Sequence, residues 1–64
     1  MKPYQERVKN EQLELKDKID KLTAFRNCDI HRSLHIYDQK LLSEQLRYMN
    51  SYNLVLLERM ERFT

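Results

Sequence analysis

The 64-residue chain has no glycine, one proline and one cysteine. Without glycine it cannot build the phosphate-cradling loops in which the backbone closes on a nucleotide. A single cysteine, Cys28, permits no disulfide within the chain, which fits a reducing cytosol. Met1-Lys2-Pro3 leads straight into polar sequence, so no signal peptide is expected. Charge of one sign is lacking as well. Twelve Lys+Arg stand against ten Asp+Glu, interleaved rather than in blocks, for a net charge of +2. A duplex nucleic-acid binder should carry a basic stripe, so no duplex partner is expected.

Long apolar runs are missing too. A membrane span needs about 20 mostly apolar residues. The most apolar stretch here is interrupted by Glu44, Arg47, Asn50, Glu58 and Arg59, and no membrane partner is expected. Phosphate loops, paired acidic motifs and a nucleophile elbow are all absent. A hairpin of this size offers no walled cleft for a nucleophile and its base, so the protein is expected not to be an enzyme and to need no cofactor.

What remains is helical pattern. Charged residues make up 34% of the chain, a composition of long solvent-facing helices. Pro3 suits a first helical turn, where its missing amide donor costs nothing. From there to about residue 25, Tyr4, Val8, Leu15, Ile19, Leu22 and Phe25 share a face, with Glu11 or Gln12 filling the gap. Glu14 with Lys18, and Asp17 with Lys21, have the spacing of supporting pairs. Residues 26–37 form a connector in which Asn27 is expected to end the helix in a left-handed turn. Ile30, Leu34 and Ile36 make it a packed loop with a helical turn.

The second helix is expected over about 38–63, with Asp38 as N-cap. Leu42, Leu46, Met49, Asn53, Leu56, Met60 and Phe63 fall on one face, with Tyr52 at its edge. A second stripe recurs at seven-residue steps in Leu41, Tyr48 and Val55, to which Leu54 and Leu57 add. A helix apolar on most of its circumference must be enclosed, and a two-helix hairpin gives each helix one partner. The expected architecture is therefore all-α: an antiparallel two-helix hairpin with a packed connector, forming a single domain and assembling into a helical-bundle homo-oligomer. Leu41, Tyr48, Val55 and Leu57 are the expected oligomer interface.

Cys28, His31 and His35 spell C-x-x-H-x-x-x-H, and Asp38 follows. A structural zinc site has two separated ligand pairs, so this loop is read as a thiol and two imidazoles without metal. Gln45, Tyr52 and Arg59 also repeat at seven-residue spacing. They can serve as core flanks, with Arg59 paired to Glu11. Alternatively Tyr4, Arg7, Tyr52 and Arg59, with Arg62 nearby, form a ligand site at the open end of the hairpin. Guanidiniums and phenols offer an anionic nucleotide bidentate phosphate contacts and a stacking face.

These residues also carry a resemblance. Pro3-Tyr4-Gln5, Arg7-Val8, Glu11, Glu14-Leu15, Lys18, Lys21-Leu22 and Phe25, then Leu42, Gln45, Met49, Tyr52, Leu56, Arg59 and Phe63, resemble a family of very small tailed-phage and prophage proteins. Arg26 departs from that pattern, where an apolar residue is expected, and the Cys28/His31/His35 loop is not part of it. The resemblance implies a protein of the cytoplasm of an infected bacterial host that antagonises host immunity by binding. Some such proteins sequester cyclic-nucleotide or cyclic ADP-ribose signals. Others dock on and inhibit a host defence protein such as a CRISPR complex, and a structural or regulatory phage role is the remaining alternative.

Overall fold

The computed structural model describes residues 2–63. Three helices follow one another: α1 (Pro3–Arg26), α2 (Asp29–Ser33) and α3 (Ile36–Glu61). Among the described residues there is no strand. The long helices α1 and α3 pack antiparallel, and α2 is the single helical turn of the connector. Two contacts set the register. Tyr4 meets Phe63 edge-to-face with ring centroids 5.8 Å apart, and the Gln12 side-chain amide donates to Asn53 Oδ1 at 3.1 Å.

Local chemistry explains the helix ends. Pro3 occupies the first position of α1, and the Lys2 amide donates to Gln5 Oε1. At the other end Asn27 is not left-handed: its φ is −95°, and its amide closes the last turn on the Ala24 carbonyl. A tightened final turn satisfies the carbonyl without any positive φ. The cap of α3 is His35, whose Nδ1 accepts from the Tyr37 amide at 3.0 Å. Asp38 instead sits inside the first turn, where its charge complements the helix dipole. The connector is held by hydrogen bonds rather than by the expected apolar packing: Leu34 is half-buried, but Ile30 and Ile36 are 66% and 65% exposed. The Gln39 side-chain amide donates to the Leu34 carbonyl at 2.8 Å, and Ser33 Oγ donates to the Ile30 carbonyl.

The core is a single seam of Val8, Leu15, Ile19, Leu46 and Leu56, with Leu22, Met49, Met60 and Phe63 packed against it. The inner face of α3 follows the expected positions, from Leu42 through Leu46, Met49, Asn53, Leu56 and Met60 to Phe63. On α1 the seam begins with buried Gln5, while Tyr4 keeps about half its surface exposed. Gln12 rather than Glu11 fills the central gap.

That gap matters energetically. Gln12 and Asn53 pair inside an otherwise apolar seam, and a buried polar group left without its partner costs about 1–3 kcal/mol. Replacing Gln12 alone by Leu is expected to destabilise the hairpin by that amount. Gln12→Leu with Asn53→Leu together should be close to neutral, because both partners are then apolar. Urea unfolding of the single and double variants reads the difference. A double variant as unstable as the single one would mean that the pair does no more than fill space.

The hairpin is a rod of 47 × 14 × 13 Å. Its radius of gyration is 14.7 Å, against about 11 Å for a compact domain of this length. Two helices side by side bury one stripe each, so much apolar surface stays outside.

Candidate functional site

Part of the uncovered apolar surface forms a stripe along one flank of α3. Leu41, Tyr48 and Val55 are 50%, 58% and 54% exposed. They recur every seven residues, about two turns, so they form a stripe beside the core face. Tyr52 joins them, and Leu41, Glu44, Gln45, Tyr48, Met49 and Tyr52 line an open groove of about 630 Å³. Its walls are chiefly apolar, with Glu44 and Gln45 as the polar groups. Arg47 lies over the Tyr48 ring at 4.8 Å and donates to its hydroxyl at 3.1 Å. Arg47 also approaches Glu44 at 3.6 Å. A guanidinium on an aromatic face is held there by about 0.5–1 kcal/mol at an exposed site.

Leu57 and Leu54 do not belong to this stripe. Leu57 is nine residues from Tyr48, half a turn round the helix, so it faces the other side of α3. Leu54 is 60% exposed and Leu57 37% exposed. Around residues 54–57 the helix is therefore apolar on nearly every side, and only Leu56 points into the seam of its own chain.

The four ligand-site residues read from the sequence share one side of the hairpin. Tyr4 touches Phe63, Arg7 lies one turn on from Tyr4, and Arg59 lies one turn before Phe63. Tyr52 lies three turns before Phe63, on the same flank. They do not meet at one point. Tyr52 and Arg59 are separated by seven residues, about 10 Å along the axis. Tyr52 belongs to the groove, whereas Tyr4, Arg7 and Arg59 lie toward the open end. Arg7 and Arg59 are exposed, and neither has an ion-pair partner among the described residues, so Glu11 does not hold Arg59. What the flank offers is a strip: aromatic and apolar at the groove, cationic about two turns further on.

The ion pairs that do form are exposed and local. They are Lys16–Asp20, Asp17–Lys21, Asp29–Arg32 and Glu44–Arg47. Such pairs contribute a few tenths of a kcal/mol each and position no site.

The connector places Cys28 half-buried before α2, His31 buried beneath it and His35 at the start of α3. His31 meets Phe25 edge-to-face at 5.8 Å. His35 spends its Nδ1 on the helix cap. Among the described residues no group of three or more His, Cys, Asp and Glu side chains comes together in a way that could hold a metal. Among the described residues no helix is long and apolar enough to cross a membrane.

A protein-family model described as Sequestin matches residues 2–62 of the chain. No curated protein and no solved structure matches it.

Proposed function

The chain belongs to the Sequestin family, and from that premise we propose that it works without catalysis, by sequestering a small anionic ligand of the cyclic-nucleotide type within a homo-oligomer. In this reading it is made in the cytoplasm of a phage-infected bacterium and withholds a defence signal from the host. The family name is consistent with holding a molecule out of circulation. The observation that carries the ligand class is the strip on one side of the hairpin. Tyr52 gives a base something to stack on, and Arg59 with Arg7 waits about 10 Å further along for the phosphates. The distance from Tyr52 to Arg59 is of the order of a nucleotide's length.

The oligomer follows from the stripe of Leu41, Tyr48 and Val55. Covering it with a second copy buries the exposed half of three large side chains, each contributing roughly 1 kcal/mol, about half the value for full burial. Leu57, on the far side, belongs to a different contact in this scheme, so an assembly larger than a dimer uses both sides of α3. Tyr48→Glu places a charge in the first contact and is expected to reduce the assembly to smaller species in sedimentation. An unchanged sedimentation profile would place the contact elsewhere.

The ligand is tested by calorimetry and thermal shift with a panel of cyclic mono- and dinucleotides and cyclic ADP-ribose. A ligand that binds only the folded protein raises its melting temperature by mass action, about 2.7 kcal/mol at a hundredfold excess over Kd. Stabilisation by one class supports sequestration, and indifference to all of them removes it.

The groove also favours a second reading. It is open and largely apolar, as a surface for an amphipathic segment of another protein would be. Docking on a host defence protein then replaces ligand capture, and the chain would remain a monomer or loose dimer.

A further inference from the structure

The closed end of the hairpin holds a second recess, of about 370 Å³, which the strip near the open end does not use. Three elements meet there. α1 contributes Arg26, α2 contributes His31, and α3 contributes Gln39, Lys40, Ser43 and Glu44. We infer that this recess is an oxyanion site, taking a sulfate- or phosphate-type group between Arg26, Lys40 and His31.

The first observation is charge. Arg26 and Lys40 come from different helices to one recess, and neither is paired with a carboxylate among the described residues. Two cations brought together repel, and a bound dianion removes that repulsion. The nearby acids are otherwise engaged: Asp29 with Arg32 at 3.1 Å, and Glu44 with Arg47 at 3.6 Å. Glu44 still lines the recess and leaves it a net charge of +1 with His31 neutral.

The second observation is His31 itself. It is 7% exposed and lines the recess, yet its buried Nδ1 has no hydrogen-bond partner. An apolar residue would pack against Phe25 without that penalty, which is about 1–3 kcal/mol for an unsatisfied polar group. A flip of the ring about its Cβ–Cγ bond exchanges its two edges. With an N–H turned toward the recess, the ring can donate to a bound oxygen. Phe25 on α1 packs against the ring, and Arg26, Lys40 and Glu44 are the charged groups that line the same recess. Gln39 has committed its amide nitrogen to the Leu34 carbonyl, and Ser43 its hydroxyl proton to the Gln39 carbonyl. The donors left for an anion are therefore Arg26, Lys40 and His31.

The cations of this site are remote from those of the proposed nucleotide strip, although Glu44 borders both the groove and the recess. Arg26 is 19 residues from Arg7, about 28 Å along α1, so either can fail while the other stands.

The test is a sulfate titration followed through the ring protons of the two histidines. Sulfate is a dianion across the neutral range, the charge that the recess is proposed to take. His35, exposed and committed to its cap, is the internal reference. The His31 resonances are expected to move and saturate while those of His35 stay. Arg26→Gln or Lys40→Gln should weaken sulfate about three- to tenfold, and Glu44→Gln should strengthen it, with helicity unchanged. AMP competing with sulfate would assign the site to a phosphomonoester, and AMP failing to compete would assign it to the free oxyanion. His31 and His35 moving together, or sulfate affinity indifferent to Arg26 and Lys40, would overturn the site.

Discussion

Arg59→Ala is expected to abolish capture of the nucleotide while leaving the assembly intact, and Arg7→Ala is expected to do the same. Each charge-assisted hydrogen bond to a phosphate contributes about 1.5–3 kcal/mol, which is roughly one to two factors of ten in Kd. In a symmetric assembly one ligand lying between two copies meets each arginine twice. The loss is then about 10²- to 10⁴-fold. Both side chains are exposed and free of ion pairs among the described residues. Their removal therefore leaves no buried partner stranded, and stability should change by no more than about 0.5 kcal/mol. Calorimetry with the ligand from the nucleotide panel, beside a sedimentation profile, separates the two effects. Undiminished affinity in both variants would remove these arginines from the site and move attention to the groove at Tyr48 and Tyr52.

Leu56→Ala should have the largest effect on the fold. Leu56 is 0% exposed and the one side chain of the apolar 54–57 stretch that its own hairpin encloses. Truncating a buried leucine costs about 2–5 kcal/mol. Small domains sit near the low end of the 5–15 kcal/mol range of native stabilities, and this seam is only two helices thick. At about 4–8 °C per kcal/mol, the melting temperature should fall by at least about 8 °C, with loss of cooperative unfolding at the upper end. Leu13→Ala is the control. Leu13 is 55% exposed, and its truncation should stay within about 0.5 kcal/mol. Equal effects at both positions would mean that the seam is not where the stability lies.

The two variants draw on parts of the chain that were not equally legible in the sequence. The α3 seam could be read residue by residue, because an uninterrupted 3.6-residue period from Leu42 to Phe63 admits one face. The α1 seam could be read except where it is polar. Gln5 and Gln12 look like surface residues until a partner is known, and only the pairing with Asn53 explains why Gln12 is inside. The helix boundary at His35 was hidden because histidine is an uncommon cap. The same holds for Asn27, where a tightened turn replaced a left-handed one. Of the candidate site, heptad spacing gave the stripe of Leu41, Tyr48 and Val55. It misplaced Leu57, since nine residues from Tyr48 is half a turn. The connector recess was not legible at all. Arg26, His31 and Lys40 share no period and meet only because α2 turns back against the end of α1.

The measurement that bears most directly on the whole account is the mass of the protein in solution by light scattering, with and without the nucleotide panel. The chain is 7.9 kDa. The account predicts a single species of at least twice that mass, its stripe of Leu41, Tyr48 and Val55 covered, and its melting temperature raised by one nucleotide class. A 7.9 kDa monomer indifferent to every nucleotide would contradict it, and would leave the exposed α3 flank as a docking surface for another protein.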